Sequence, residues 1–326
     1  MNSNKILLIL CIILVISIAS LKDVSSRLPE LNRMVQMDKT EPVHKDSIDS
    51  NILLDDHEQP IIIKSTEVKE PVKPVVIKPY VTAESYLVAN LETGEKYLQS
   101  NPNMKVPIAS VSKLYTSMVV KHILDPNTII TITQPMLDAY GDSGNLKLGE
   151  RYNLNELLHS LLIVSSNDAA EAFAHSYGYT NFIESMNGFA QEIGMSNTSF
   201  KDPSGLSSAN VSSANDLFTV ARYLYRSEPE ILSISRVQQY DIATTTEHGY
   251  TRLININPFV TYPEFIGGKT GRTNEAKEAM VTLINKRIGY KVYPIAIILL
   301  RSDFGEREIN TEKLLGQFID KIKSTN

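Results

Sequence analysis

The sequence holds a single cysteine among 326 residues, Cys11, and it sits inside an apolar run at the N-terminus. The rest of the chain therefore has neither a disulfide framework nor a cysteine metal site. The scarcity leaves the compartment open, because exported and cytosolic proteins alike can lack cysteine. The six histidines are scattered, with no pair at the i, i+4 spacing of a helical zinc motif, so neither a metal nor another cofactor is expected. A basic excess is missing too: 32 Lys and Arg against 37 Asp and Glu leave a formal charge of −5, which gives no reason to expect nucleic-acid binding. No serine stands in a G-x-S-x-G elbow, which sets aside that kind of Ser/His/Asp hydrolase. No internal repeat is visible. What remains is 42% hydrophobic and 21% charged, an ordinary balance in a chain long enough for one large domain or two lobes.

At the N-terminus Lys5 precedes Ile6-Leu7-Leu8-Ile9-Leu10, and apolar character runs on to Leu21. A short basic region before such a stretch is an export signal. Two fates are open for residues 1–21. Ser17-Ile18-Ala19 resembles a small-residue cleavage site, whereas retention would leave a membrane anchor somewhat shorter than the roughly 20 residues that span a bilayer comfortably. Leu10 before Cys11 argues against lipoprotein processing. Residues 22–80 carry interspersed charge and prolines at 60, 71, 74 and 79. They read as a largely disordered, polyproline-like linker that could hold a domain away from a membrane, with a short strand at 60–63. Residues 81–326 read as the globular domain.

Within that domain, residues 85–91 and 96–98 give a hairpin signal around Glu92-Thr93-Gly94-Glu95. Helical spacing follows at 110–124, 154–164, 168–177, 180–193 and 213–225, with boundaries or caps expected at Gly178 and at 215–218. Strands return at 264–271, 276–284 and 292–300, and a last helix is expected over 307–323. The class is α+β: an antiparallel sheet built from both chain ends, flanked by helices, with a mostly helical inserted lobe.

Three short motifs carry chemistry. Ser110-Val111-Ser112-Lys113 is the only S-x-x-K. On a helix, i and i+3 share a face, so the amine reaches the hydroxyl. Serine needs an adjacent base, and lysine serves only when burial or nearby positive charge lowers its pKa. Standing alone, the motif could equally arise by chance. Lys269-Thr270-Gly271 is the only K-T-G. On an edge strand its lysine and threonine can bind a carboxylate, its glycine admits a close backbone, and its charge would help keep Lys113 neutral. It could also be a turn between strands. Ser165-Ser166-Asn167 precedes a helix, where a cap reading competes. Ser143-Gly144-Asn145, Ser208-Ala209-Asn210 and Ser213-Ala214-Asn215, among others, share its spelling, so position and flanks single it out.

In order and flanks, these elements resemble the low-molecular-mass D-alanyl-D-alanine carboxypeptidases, the S11 peptidase family of the serine penicillin-binding and β-lactamase-like superfamily. The flanks concerned are Pro107-Ile108-Ala109, Asp168-Ala169-Ala170, Ile266-Gly267-Gly268 and the segment Phe200-Lys201-Asp202-Pro203-Ser204-Gly205-Leu206. The resemblance runs from about residue 83 to the end. It implies that Ser110 attacks the carbonyl between the last two D-alanines of a peptidoglycan stem while Lys113 takes its proton. Ser165 would pass a proton to the leaving D-alanine, and Asn167 would hold the substrate backbone. Lys269 and Thr270 would bind the terminal carboxylate, supported by Arg307, and Gly271 would let the substrate backbone approach closely. The backbone N–H groups of Ser110 and Arg272 would form the oxyanion hole. Implied partners are a stem ending in D-Ala-D-Ala, β-lactams as covalent inhibitors, and a membrane if the N-terminal segment is retained, in an exported, cell-envelope setting. Three departures stand out, the first being Arg272 after K-T-G, where the family often has other residues. Lys277-Glu278 replaces a Gly-aromatic pair. No C-terminal β-domain or amphipathic anchor follows the last helix, so any attachment is expected at the N-terminus. Two alternatives share the fold. A class A β-lactamase needs an E-x-x-L-N segment between the second and third motifs, and none is found. A non-catalytic peptidoglycan-binding protein has no need of the intact motif residues.

Overall fold

The computed structural model describes residues 80–141 and 143–325. The N-terminal apolar segment, the linker up to residue 79 and the strand expected at 60–63 lie outside the described residues.

The expected hairpin forms from β1 (Ser85–Asn90) and β2 (Lys96–Ser100). Its turn is tied by Asn90, whose Oδ1 accepts from the N–H groups of Glu92 (2.8 Å) and Thr93 (2.9 Å). Three short pairs come next: β3 (Val106–Pro107) with β6 (Val211–Ser212), β4 (Ile129–Thr131) with β5 (Arg151–Asn153), and β7 (Gln239–Ile242) with β8 (Thr251–Ile254). At two to four residues they carry too little period to announce themselves in the sequence. The long strands β9 (Phe265–Thr273), β10 (Lys277–Ile288) and β11 (Lys291–Ser302) complete a five-stranded antiparallel sheet in the order β2-β1-β11-β10-β9. The two ends of the domain thus meet in one sheet, with β9 at an edge.

The near-continuous apolar run of β11 follows from cover on both faces. Alternation sends Ala296, Ile298 and Leu300 toward the helical lobe, together with Leu87, Val281 and Leu283. Ile295 and Ile297 point the other way with Val88, against Leu314, Phe318 and Ile322 of the last helix, Arg307–Thr325. Burying each such large side chain contributes about 1.5–3 kcal/mol.

Seven helices precede that one among the described residues: α1 (Ser112–Ile123), α2 (Gln134–Leu137), α3 (Leu154–Ile163), α4 (Asn167–Tyr177), α5 (Tyr179–Glu192), α6 (Ala214–Ser227) and α7 (Pro229–Ser235); Arg307–Thr325 is α8. Their starts have local causes. Asn153 and Glu156 form a reciprocal capping box at α3, with both bonds 3.0 Å long. Gly178, at φ 98°, separates α4 from α5 as expected. The cap expected at 215–218 is displaced: those residues lie in the first turn of α6, and Ser213 caps it by accepting from Asp216 N–H at 3.2 Å. The helix expected from residue 110 opens as a 3-10 turn, Ala109–Val111, before α1. Lys277 replaces an expected glycine at φ 51°, a left-handed conformation that costs a side-chain-bearing residue energy. Its ammonium is held there by Asp303 (3.0 Å) and Glu84 (3.2 Å).

Candidate active site

The S-x-x-K, S-x-N and K-T-G segments converge where the 3-10 turn at Ala109–Val111 packs between edge strand β9 and the helical lobe. The turn is confined by two glycines. A Cβ on Gly271 would lie 2.8 Å from Ile108 O and 3.0 Å from the backbone nitrogens of Ser110 and Val111. A Cβ on Gly205 would lie 2.0 Å from Ala109 O, and Gly205 has φ 86°. Gly205→Ala is therefore expected to displace the Ser110 turn and cost about 3 kcal/mol. Thermal unfolding checks this: a drop of roughly 6–12 °C is expected for a domain of this size, and an unchanged midpoint would contradict the packing described.

Ser110 is the middle residue of the 3-10 turn, and Lys113, the second residue of α1, is fully buried. Its Nζ is 2.9 Å from Ser110 Oγ, 2.6 Å from Asn167 Oδ1 and 2.7 Å from Ser204 O. As an ammonium it donates to all three. As a neutral amine it has two hydrogens. Asn167 Oδ1 and Ser204 O can only accept, so they take both, and the lone pair is left facing the one partner able to donate, the Ser110 hydroxyl. Burial brings the Lys113 pKa down to about 7, while the Asp202 and Glu171 carboxylates pull it upward. Of the two causes expected from the sequence, burial and nearby positive charge, burial leads. Lys269 is itself buried, and burial followed by the charges of Lys113 and Arg307 lowers its pKa well below the usual lysine range. Its Nζ donates to Thr270 O at 2.9 Å. Two ammonium groups so close disfavour each other, and the first to lose its proton relieves the second.

The turn between α3 and α4 separates capping from chemistry. Ser166 is the cap, its Oγ accepting from Ala169 N–H at 3.1 Å. That leaves Asn167 to reach Lys113 with its oxygen, while its Nδ2 donates to Tyr140 O at 2.6 Å. Ser165 stands half-buried just before the cap at φ 61°, an uncommon conformation for serine.

Strand alternation puts Lys269 and Gly271 on the helical-lobe face of β9 and Thr270, nearly fully buried, on the other, opposite Met280. Arg272 is exposed, its guanidinium 5.1 Å from the centre of the Phe304 ring. Arg307 begins α8, with Nη1 3.7 Å from Glu278 Oε1. The structure thus joins Ser110, Lys113 and Asn167 by direct contact. Gly271 is packed against the Ser110 turn, Lys269 is coupled by charge to Lys113 and Arg307, and Arg272 is exposed beside Phe304.

Two contributors were not assigned a role from sequence. Ser204 supplies the third Lys113 acceptor through its carbonyl. Asp202 fixes that carbonyl: its carboxylate accepts from the N–H groups of Ser204 (2.8 Å) and Ser207 (2.6 Å) and from the Ser204 hydroxyl (2.9 Å). The Asp-Pro-Ser-Gly spelling carried the turn signal, though not its target. A separate apolar groove of about 460 Å3, lined by Val120, Leu124, Leu158 and Val237, contains none of these residues.

A family model described as D-alanyl-D-alanine carboxypeptidase matches residues 72–296. The D-alanyl-D-alanine endopeptidase of Escherichia coli (strain K12) is 32% identical over 233 residues, covering 68% of this chain and 72% of that protein. The D-alanyl-D-alanine carboxypeptidase DacF of Bacillus subtilis (strain 168) is 29% identical over 242 residues, covering 72% of this chain, which spans 61% of that relative. Among solved structures, a D-alanyl-D-alanine carboxypeptidase from Mycobacterium tuberculosis H37Rv superposes with a TM-score of 0.67 at 26% identity, over 74% of this chain and 92% of the other. With more than half of its length matched by the family model and its fold shared with a solved member, the chain belongs to the D-alanyl-D-alanine carboxypeptidase family, the S11 serine peptidases.

Proposed function

We propose that the chain is a serine-type D-alanyl-D-alanine carboxypeptidase that removes the terminal D-alanine from peptidoglycan stem pentapeptides through an acyl-enzyme on Ser110. The observation that carries the reading is the buried Lys113 amine. Its two acceptor-only partners leave its lone pair facing Ser110 Oγ. In this reading Ser110 Oγ adds to the carbonyl of the penultimate D-alanine as its proton passes to Lys113. Backbone N–H groups of Ser110 and Arg272 receive the oxyanion, and such a donor contributes about 2.7–4 kcal/mol. Ser165 hands a proton to the departing amine. Free D-alanine leaves, and water then opens the Ser110 ester. Thr270, Lys269 and Arg307 face the terminal carboxylate, whose charge on arrival favours the protonated form of Lys269.

The membership of an endopeptidase among the relatives favours a second substrate form at the same site, in which the D-alanine carbonyl is joined to another stem in a cross-link. Incubation with a free pentapeptide and with a cross-linked dimer compares the two. Release of D-alanine from the pentapeptide supports the reading, and cleavage of the dimer alone would move it to endopeptidase. Penicillins, which present an acyl group to the same serine, are expected to form adducts. The N-terminal export signal, Lys5 followed by an apolar stretch to Leu21, supports a site of action outside the cytoplasm.

The pH dependence has a definite sign. Lys113 acts as base only when neutral, so kcat/KM is expected to rise with pH through about 7, where its pKa lies in the free enzyme. Glu171 is buried, and its own carboxyl is pushed up to about 7 by burial and by Asp202. Its anion favours the charged form of Lys113, as does the Asp202 carboxylate that the loop requires for its fold. Glu171→Gln is therefore expected to move the acid limb to lower pH. A limb that stays in place or moves upward would contradict the electrostatic assignment.

A further inference from the structure

Glu278 has no part in the mechanism above, yet it is a carboxylate only 3% exposed beside the site. Its Oε2 accepts from the backbone N–H groups of Gly305 (3.0 Å) and Arg307 (3.3 Å), at the N-terminus of α8. Its Oε1 lies 3.7 Å from Arg307 Nη1. One residue thus grips both the backbone and the guanidinium of Arg307. The register shows where that grip points. Glu278 and Met280 lie on one face of β10, with Arg272 and Thr270 as their partners on β9. Arg307 and Thr311, one turn apart on α8, lie over that face: Thr311 Oγ1 contacts Met280 Sδ at 3.7 Å. Arg307 is close enough for its charge to weigh on Lys269. A long arginine that is only partly buried loses considerable side-chain freedom when it binds an anion, and a fixed carboxylate behind it takes that loss before the substrate arrives.

We propose that Glu278 is a positioning and specificity-determining residue: it holds the Arg307 guanidinium at the Thr270 edge of β9, so that substrates with a free C-terminal carboxylate are favoured over those whose terminus is amidated. The proposal rests on the carboxypeptidase reading of this site. Its alternative is a purely structural role for Glu278 as an acceptor at the start of α8.

The test compares wild type, Glu278→Gln, Arg307→Gln and the double variant on a pentapeptide ending in D-Ala-D-Ala as the free acid and as the C-terminal amide. With Glu278→Gln, KM for the acid is expected to rise about tenfold with kcat within twofold, and kcat/KM for the amide is expected to stay within twofold. Arg307→Gln is expected to give the same pattern, and the double variant to be no worse than Arg307→Gln alone, because both changes remove one interaction. If Glu278→Gln does not fold, Glu278→Asp retains the charge and withdraws it by one methylene; a rise of about threefold in KM, confined to the acid, is then expected. Equal losses on acid and amide, or penalties that multiply in the double variant, would overturn the proposal while leaving the carboxypeptidase reading intact. A wild type that releases no D-alanine would overturn that reading, and this proposal with it.

Discussion

Ser110→Ala is expected to abolish D-alanine release from a D-Ala-D-Ala pentapeptide, with kcat falling by about 10⁴- to 10⁶-fold. The size of the loss follows from what remains. The oxyanion donors, Asn167 and the Lys269-Thr270 edge stay in place, so substrate affinity should change by no more than a few-fold, while the atom that forms the acyl bond is gone. The fold should hold, because Ser110 Oγ supplies one of three acceptors to Lys113 and leaves Asn167 Oδ1 and Ser204 O in contact. Steady-state release together with equilibrium binding of the pentapeptide checks both halves. Retained turnover would move the nucleophile elsewhere, and lost binding would make Ser110 a structural residue of the turn.

The second large effect concerns the base. Lys113→Met, which nearly conserves volume, should lower kcat by about 10³- to 10⁴-fold, the usual worth of a positioned general base with some allowance for the neighbouring lysine. Lys113→Arg is the sharper variant. It keeps a positive charge and several donors for Asn167 and Ser204, but a guanidinium stays protonated at any working pH. If Lys113 served as a fixed cation, arginine would retain much of the activity. If it acts as a base, arginine should be as poor as methionine. Activity within tenfold of wild type in Lys113→Arg would contradict the mechanism.

The sequence made the framework legible where period was strong. The two-residue alternation of residues 85–91, the helical spacing of 154–193 and the apolar run at 292–300 each survive in the structure with ends shifted by at most two residues. They survive because each of these segments buries its patterned face against an extensive core. The short pairs β3–β6 and β7–β8 left no such trace, since their register is set by what packs around them. The site was legible as spelling and order: a lysine three residues after a serine, and a single K-T-G far downstream. Its physical causes were not. Which of Ser165, Ser166 and Asn167 caps α4 depends on backbone angles that three similar polar residues do not disclose. The low pKa of Lys113 comes first from burial at a join between lobe and sheet, which no local pattern records. Glu278, read in the sequence only as a departure, takes its meaning from Arg307, 29 positions away and on another element.

The central claim is that Ser110, with Lys113 beside it as a base, forms a covalent acyl bond in this pocket. Intact-mass analysis of the purified protein after exposure to a penicillin, with the modified peptide sequenced, tests it most directly. The expected result is a single long-lived adduct mapped to Ser110 in the wild type and none in Ser110→Ala. An unmodified wild type, or an adduct on any other residue, would contradict it.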